Sequence, residues 1–237
     1  MGARTSNNFS KTLQLEGYLA YGTWDDKFKY GADLIYMFSK NPRRDLQAGY
    51  KYDVEQLGLS TTSFSTDNLL SSLFHRGPND KLTMLREYKL TYEHEWFSGF
   101  LNRIHLVHQE IFPLGSTEFI IYPNGRQDPQ YMNSIFTSEI TIDTRFSFRE
   151  RFLAAEFERL TISSVYPIIQ LSYTHGFPDI FNSDFEYNKL ILNVSQWFHF
   201  ASIGWSKYII ESGKIWGTLP YPLLRIHDGN QTFFYDD

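Results

Sequence analysis

Hydrophobic and polar residues alternate along much of the chain, most regularly between residues 13 and 54. Three segments carry the pattern there, each with one apolar face: Leu13 to Tyr21, Phe28 to Phe38 and Leu46 to Val54. Successive side chains of a β-strand point to opposite faces, so a period of two predicts strands. These segments are longer than the about five or six residues of an ordinary strand. They match the about nine to eleven residues with which a β-strand crosses a membrane.

The alternation returns later in the chain and predicts further strands. It is found in Tyr88 to Trp96, Phe100 to Phe112, Phe136 to Phe146, Ile169 to Tyr173, Leu190 to Val194 and Phe200 to Ile210. In the last of these segments the parity blurs near Lys207, which is typical of a bulge. Residues 149–165 are ambiguous, because 156–160 fit either a helix or a strand.

The connections between these segments differ in length. Two long polar stretches, 55–84 and 113–132, contrast with the short connections 39–45 and 97–99. Within the first long stretch, residues 67–74 are compatible with a short capped helix. If the strands run up and down in order, both long loops lie at one end of the sheet. Outer-membrane barrels have long outer loops and short periplasmic turns, so the pattern predicts an all-β, antiparallel up-and-down transmembrane β-barrel.

Such a barrel has an apolar outside and a polar inside, and the alternation assigns residues to each. The predicted membrane-facing residues are Leu13, Leu15, Leu19, Tyr30, Leu34, Tyr36, Tyr50, Tyr52, Leu90, Tyr92, Ile140, Ile142, Leu171, Leu190 and Leu192. The predicted lumen-facing residues are Glu16, Lys29, Asp33, Lys51, Asp53, Lys89, Glu93, Glu139, Asp143 and Arg145. The solvated face of a soluble sheet gives the same string, so the alternation alone leaves that alternative open.

The composition of the chain limits the kinds of partner that it is expected to bind. Aromatic residues make up 18% of the chain, and aromatic girdles at the two membrane interfaces would use them. The formal net charge of -5 argues against nucleic acid as a partner. The chain has no cysteine, which excludes disulfides and thiolate metal sites.

No catalytic motif emerges from the sequence. A nucleophile elbow, a phosphate-binding glycine loop and a His-Glu-x-x-His zinc motif are all missing. His105 and His108 lie near one hairpin, but on a regular strand they point to opposite faces and do not share a metal ion. Glu93 and Glu95 do share a face, yet nothing in the sequence indicates the pocket that catalysis needs. We therefore expect no catalytic residue, no metal site and no cofactor.

Two stretches carry a family signal. The first is LEGYLAYG at 15–22 with DKFKYG at 26–31, and the second is GKIWGTLPYPLL at 213–224 with IHDGN at 226–230. Together they resemble the barrel region of a Gram-negative outer-membrane family of unknown function, whose full members carry a carboxypeptidase-regulatory-like β-sandwich ahead of the barrel. The motif residues are Gly17, Gly22, Gly213, Lys214, Pro220, Pro222, Gly229 and Asn230. The second stretch is also similar, more distantly, to a segment of BamA-like assembly barrels, but no Arg-Gly motif follows it here.

The sequence thus predicts a single barrel region over residues 1–237 that belongs to a longer protein of the outer membrane. About nine or ten strand-like segments are present, and we expect an incomplete, open barrel whose first and last strands do not pair. The expected partners are outer-membrane lipid and the remainder of the longer chain. The expected role is receptor-, transport- or assembly-like, with the ligand undefined. The alternatives are a soluble periplasmic, lipocalin-like binding protein and, ranked last, an envelope enzyme.

Overall fold

The computed structural model describes residues 1–23, 26–56, 82–115, 118–121, 129–200, 202 and 204–224. Within these residues the chain forms fourteen β-strands and two short 3-10 helices. The strands are β1 (Gly2–Arg4), β2 (Leu13–Gly22), β3 (Lys27–Lys40), β4 (Arg43–Gln56), β5 (Leu82–Phe97), β6 (Phe100–Pro113), β7 (Phe119–Ile121), β8 (Gln130–Met132), β9 (Ile135–Ser147), β10 (Arg151–Ala154), β11 (Arg159–Ser163), β12 (Ile168–Gly176), β13 (Tyr187–Phe200) and β14 (Gly204–Trp216). The 3-10 helices are Ile180–Asn182 and Tyr221–Leu223. No helix in the described part of the chain is long and apolar enough to cross a membrane.

Ten strands form one large sheet in the order β1-β2-β3-β4-β5-β6-β9-β12-β13-β14, whereas β7 pairs with β8 and β10 pairs with β11 in two small hairpins. The pairs whose register is defined are antiparallel. β1 and β14 are the two edges, so the sheet is not closed into a barrel. The predicted all-β, antiparallel class is confirmed, and the first and last strands do not pair among the described residues.

Several boundaries differ from the predicted ones. β3 and β4 are so long that Asn41 and Pro42 alone connect them, instead of residues 39–45. The connection 149–165 contains the β10–β11 hairpin and no helix, and 113–132 contains β7 and β8. Phe200 to Ile210 is not one strand, because β13 ends at Phe200 and β14 begins at Gly204. Lys207 lies inside β14, and the pairing of β14 with β13 runs without a shift from Gly204 to Trp216, so the predicted bulge is not present there. The short helix predicted at 67–74 lies outside the described residues.

Neighbouring strands of the large sheet are antiparallel, so its connections alternate between two ends. The turn end carries Asn41–Pro42, Ser98–Gly99 and the connection from 201 to 203. The loop end carries the connections after β2, β4, β6 and β12. The predicted sorting by length has two exceptions. The connection 148–167 with the β10–β11 hairpin is long but lies at the turn end, and the four-residue connection after β2 is short but lies at the loop end.

On the large sheet, apolar side chains are exposed and several charged side chains are buried, which is the opposite of the pattern in a soluble protein. On one face, which we call the apolar face, Leu34 is 36% exposed and Leu19 is 54% exposed. On the other, the polar face, Glu93 is 1% exposed and Asp143 is 6% exposed. Register keeps the faces separate, because Leu15 opposes Leu34 and Glu16 opposes Asp33.

The apolar face is banded. Along β3, Phe28 and Tyr30 lie near the loop end and Tyr36 and Phe38 near the turn end, all more than 40% exposed. Between these aromatic pairs the same face carries only Ala32 and Leu34. Strands β5 and β9 repeat the aromatic positions near the turn end with exposed Trp96 and Phe146, and exposed Phe148 directly follows β9.

On the polar face, a tyrosine ring packs over a glycine of the neighbouring strand. The ring of Tyr18 on β2 lies across Gly31 on β3, and its hydroxyl donates to Asp53 on β4 at 2.6 Å. A Cβ at position 31 would lie 2.5 Å from the Tyr18 ring. Glycine there permits the close approach of the ring. Both residues belong to the first family stretch, so the packing gives that stretch a physical reason.

The contacts divide the chain into two units. Unit 1 comprises Met1–Asp53, Arg86–Glu110 and Phe136–Thr218. Unit 2 comprises Val54–Leu85, Ile111–Ile135 and Leu219–Asp237. Within unit 2, the β7–β8 hairpin pairs Phe119 with Met132, and Phe119 is 1% exposed. All residues of the candidate site lie in unit 1.

Candidate functional site

The polar face of unit 1 carries a cluster of charged side chains near the turn end. We call it the arginine–carboxylate network. Its members are Arg43, Asp45, Glu93, Glu95, Arg103, Arg145, Glu150 and Arg159. The four positive charges balance the four negative charges, as burial of ions requires. Strands β4, β5, β6 and β9 contribute side chains because the alternation directs these positions to one face of the large sheet. Arg159 comes from β11 in the separate β10–β11 hairpin.

Arg43 is the central cation. Its Nε lies 2.9 Å from Asp45 Oδ2 and 2.9 Å from Glu93 Oε1. Arg103 donates to the second oxygen of Glu93. Asp45 is 0% exposed and also accepts a hydrogen bond from Gln47 at 2.8 Å. Removal of any one partner would leave a buried charge uncompensated.

Arg159 links the β10–β11 hairpin to the large sheet. Its two terminal nitrogens donate to the two oxygens of Glu95 at 2.9 and 3.0 Å. This two-bond geometry is the strongest form of an arginine–carboxylate pair. Arg43 adds a second link, because its Nη2 donates to the carbonyl of Phe157 at 2.8 Å.

Glu150 lies in the connection between β9 and β10, outside the strands of the large sheet. Arg145 donates to its two oxygens at 2.7 and 2.6 Å. Burial of the Glu150 carboxyl alone would raise its pKa, but the hydrogen bonds and charge of Arg145, with hydrogen bonds from Thr161 and Ser147, lower that pKa below its ordinary value. Glu150 is therefore an anion at neutral pH.

The hairpin packs closely over this part of the polar face. Phe157, at its tip, is 5% exposed. A cavity of about 20 Å³ remains, lined by Glu95, Ser98, Gly99, Leu101, Arg145, Ser147, Glu150, Phe152 and Arg159. That volume holds about one water molecule, so this conformation leaves no room for a larger ligand.

A second polar cluster lies beside the network. The Thr91 hydroxyl lies 2.8 Å from His105 Nδ1, and His105 Nε2 lies 2.9 Å from Asp143 Oδ2. Threonine, histidine and aspartate are also the residue types of hydrolytic triads. Here Thr91 is only 3% exposed, so its hydroxyl is closed to a substrate. The cluster satisfies buried polar groups across β5, β6 and β9.

The predicted lumen-facing residues divide into two groups. Glu93, Asp143 and Arg145 belong to the two clusters described above. The others lie elsewhere on the large sheet: Glu16, Asp33 and Lys89 are exposed, and Lys29, Lys51, Asp53 and Glu139 are half-buried. The prediction did not include Arg43, Asp45, Glu95, Arg103, Glu150 and Arg159. For Arg103 and Glu95 the signal was their parity on β6 and β5, whereas Glu150 and Arg159 lay in the ambiguous connection.

The predicted membrane-facing residues are exposed or half-buried. Those exposed are Leu15, Leu19, Tyr30, Leu34, Tyr36, Leu90, Tyr92, Ile142, Leu171 and Leu192. Those half-buried are Leu13, Tyr50, Tyr52, Ile140 and Leu190. Cross-strand pairs such as Leu15 with Leu34 and Leu171 with Leu192 keep them on one continuous face.

The motif residues lie in different elements. Gly17 and Gly22 are in β2, and Gly213 and Lys214 are in β14. In unit 2, Pro220 is buried and Pro222 is part of the 3-10 helix. Gly229 and Asn230 lie outside the described residues. Gly213 allows close packing, because a Cβ there would lie 3.1 Å from the Leu190 carbonyl oxygen.

The two histidines considered as metal ligands do not share a hydrogen-bond partner. His105 bonds to Asp143, and His108 bonds to Ser138 at 2.9 Å, so the two imidazoles have separate partners. In the described ranges, no group of three or more His, Asp and Glu residues is placed to hold a metal ion.

The fold and the site define an all-β protein built on an open antiparallel sheet with a charged, partly covered polar face. A family model described as the C-terminal domain of a family of unknown function, DUF5686, matches residues 2–237. The chain belongs to this family. No curated protein and no solved structure is significantly similar to it.

Proposed function

We propose that this chain is the membrane-spanning β-sheet of an outer-membrane protein, non-catalytic and receptor-, transport- or assembly-like in role. The observation that carries the proposal is the inverted burial of the sheet. A soluble sheet buries its apolar face and exposes its charges. Here Leu34 is 36% exposed whereas Glu93 is 1% exposed.

The physical cost of this arrangement in water supports a lipid environment. Fully burying a leucine-sized side chain contributes about 1.5–3 kcal/mol. Seven leucine and isoleucine side chains of the apolar face are 36–54% exposed and forgo part of that contribution in water. In a bilayer the same face is solvated by acyl chains, and the charges on the other face remain away from lipid. A lipocalin-like carrier would instead place its apolar residues inside the barrel, which disfavours the soluble alternative.

The spacing of the aromatic residues fits the same environment. Ten residue steps separate Phe28 from Phe38, which at about 3.3 Å per residue is about 33 Å along β3. With a strand tilt of about 40°, that length covers about 25 Å of the membrane normal, the height of the apolar band in outer-membrane barrels. Aromatic side chains at both limits match interfacial girdles.

The open edges point to further strands. Strand β14 pairs with β13 along thirteen residues, from Gly204 to Trp216, and is an edge of the sheet. An unpaired backbone group in lipid costs several kcal/mol, so spanning sheets close into barrels. We propose that the remainder of a longer chain completes the barrel. The resemblance noted above adds a preceding regulatory-like β-sandwich, a Gram-negative source and a distant relationship to BamA-like barrels.

A non-catalytic role is favoured by the partners of Glu93 and Glu95 on β5. Glu93 is held by Arg43 and Arg103, and Glu95 is held by Arg159. Both carboxylates are thereby engaged by arginines of the network. A general acid or base must instead reach the substrate with its carboxyl group.

The test is fractionation of cells that express the full-length protein. We expect the protein in the outer-membrane fraction, retained after an alkaline wash and extracted only by detergent. A folded, monodisperse protein in buffer without detergent would contradict the proposal.

A further inference from the structure

The β10–β11 hairpin is too small to be stable without contacts to the rest of the protein. Its strands Arg151–Ala154 and Arg159–Ser163 are short, and a two-stranded hairpin alone is marginally stable in water. Leu153 and Ile162 are 61% and 63% exposed, so these two apolar side chains do not anchor it to the large sheet. Its position over the polar face must therefore depend on other contacts.

Those contacts are the buried ring of Phe157 and a set of charged groups. Arg159 binds Glu95 with two hydrogen bonds, and Arg43 binds the Phe157 carbonyl. Lys40 pairs with Glu156, and Arg4 pairs with Glu158 at 2.6 Å. The Arg4–Glu158 pair is more than half exposed and contributes little. The Arg159–Glu95 pair, in which Glu95 is 3% exposed, is the main fastening.

This fastening can break without leaving either partner bare. Glu95 also accepts hydrogen bonds from the backbone N–H of Arg43 at 3.0 Å and of Gly99 at 3.4 Å. The guanidinium of Arg159 lies 4.1 Å from the centre of the Phe152 ring, which belongs to the same hairpin. Both partners therefore keep a favourable contact when the hairpin leaves, which lowers the cost of breaking the pair.

We infer that the β10–β11 hairpin is a gate over the polar face at the turn end, held shut by the Arg159–Glu95 pair. Closed, it reduces the space beneath it to a cavity of about 20 Å³. Open, it exposes the cavity residues and the carboxylate of Glu95 to the solvent at that end. This inference rests on the proposed function, because it assigns the gate to the lumen side of a membrane sheet.

The test uses the absence of cysteine from the chain. Leu101 lines the cavity and is 7% exposed, so Leu101→Cys provides a single buried thiol within residues 1–237. Any cysteine elsewhere in the full-length protein is replaced by serine. The rate at which the buried thiol reacts with a bulky maleimide reports how often the hairpin opens. In the full-length protein in detergent, adding Arg159→Gln should increase that rate by about tenfold or more, since it leaves Glu95 without its cation. Arg159→Lys, which keeps the charge but not both bonds, should give an intermediate rate.

Arg149→Gln is the matched control, because Arg149 lies in the same connection and contacts the Phe148 ring rather than Glu95. It should leave the thiol rate unchanged. Equal rates in the parent, Arg159→Gln and Arg159→Lys proteins would overturn the gate. An increase with Arg149→Gln as large as with Arg159→Gln would overturn it too, because it would indicate general loosening.

The thiol-labelling test of the gate and the fractionation test of the proposed function can fail independently. Gated labelling in a protein that fractionates as soluble would retain the gate and reject the membrane role. Outer-membrane fractionation with ungated labelling would reject the gate alone.

Discussion

The ring of Tyr187 on β13 lies directly across Gly176 on β12. A Cβ at position 176 would lie 2.5 Å from Cε1 of that ring. The Tyr187 hydroxyl reaches over β12 and donates to Glu139 on β9. Tyr18, Gly31 and Asp53 form the same three-strand arrangement on β2, β3 and β4. Tyrosine and glycine thus fit together at two separate places on the polar face.

Gly176→Ala should therefore destabilise the protein, by about 1–3 kcal/mol, because the added methyl displaces a ring that is packed in place. The effect should be measured as the free energy of unfolding in urea, in detergent or vesicles. In a Tyr187→Ser background the same substitution should cost much less, because the ring is gone. An equal cost in both backgrounds would contradict this explanation.

Acid should loosen the connection between β9 and β10. Contacts in the folded state lower the pKa of Glu150, so its charge stabilises the folded state above the ordinary carboxyl pKa. That contribution is lost as the pH falls through the lowered value. Glu150→Gln should cost about 1.5–3 kcal/mol at neutral pH, the range for hydrogen bonds to charged groups.

Amide hydrogen exchange in β10 and β11, followed from pH 7 to the acid range, measures this effect. The parent protein should lose protection as the pH falls, whereas Glu150→Gln should show low protection and a flatter profile. An unchanged acid slope in the variant would assign the effect to another carboxylate.

The large sheet was predictable because its signal is local. Alternation along β2, β3 and β4 specifies strands and faces within a single segment, as with Leu34 beside Asp33. The exposed state of Leu34 was not contained in the alternation, because a soluble sheet with the opposite face buried has the same string. Only the folded sheet shows which face is buried, and there Leu34 is exposed.

The charged site was less predictable because its contacts are distant in sequence. Arg159 meets Glu95 across 64 residues, and Arg43 reaches Phe157 across 114. Arg43 also lies in the predicted connection 39–45, because the turn signal of Asn41-Pro42 does not show that these two residues alone connect the strands. The β10–β11 hairpin has strands of four and five residues, too short for a clear period.

The two ends of the sheet should face opposite sides of the membrane, with the loop end outside. Thr23, in the connection after β2, and Ser98, in the turn after β5, are both exposed and lie at opposite ends. In intact cells an impermeant maleimide should label Thr23→Cys and spare Ser98→Cys. Permeabilised cells should show labelling of both, which controls for reactivity. The reverse pattern in intact cells would invert the orientation.

A charge on the apolar face should be far more costly than the same charge on the polar face at the same height. Leu34→Arg places a cation in the aliphatic band, where outer-membrane barrels lose about 2–4 kcal/mol. Glu16→Arg is the matched control: Glu16 neighbours Leu15, which opposes Leu34, and its own cross-strand partners are Asp33 on β3 and Arg4 on β1. Both side chains are exposed in the structure, so a soluble sheet would tolerate the two substitutions about equally.

In a lipid bilayer only Leu34→Arg meets acyl chains, whereas Glu16→Arg places its cation in water, between the carboxylate of Asp33 and the cation of Arg4. Urea unfolding of each variant in vesicles should show a large loss for Leu34→Arg and a change within about 1 kcal/mol for Glu16→Arg. Equal effects of the two substitutions would mean that the apolar face does not contact lipid.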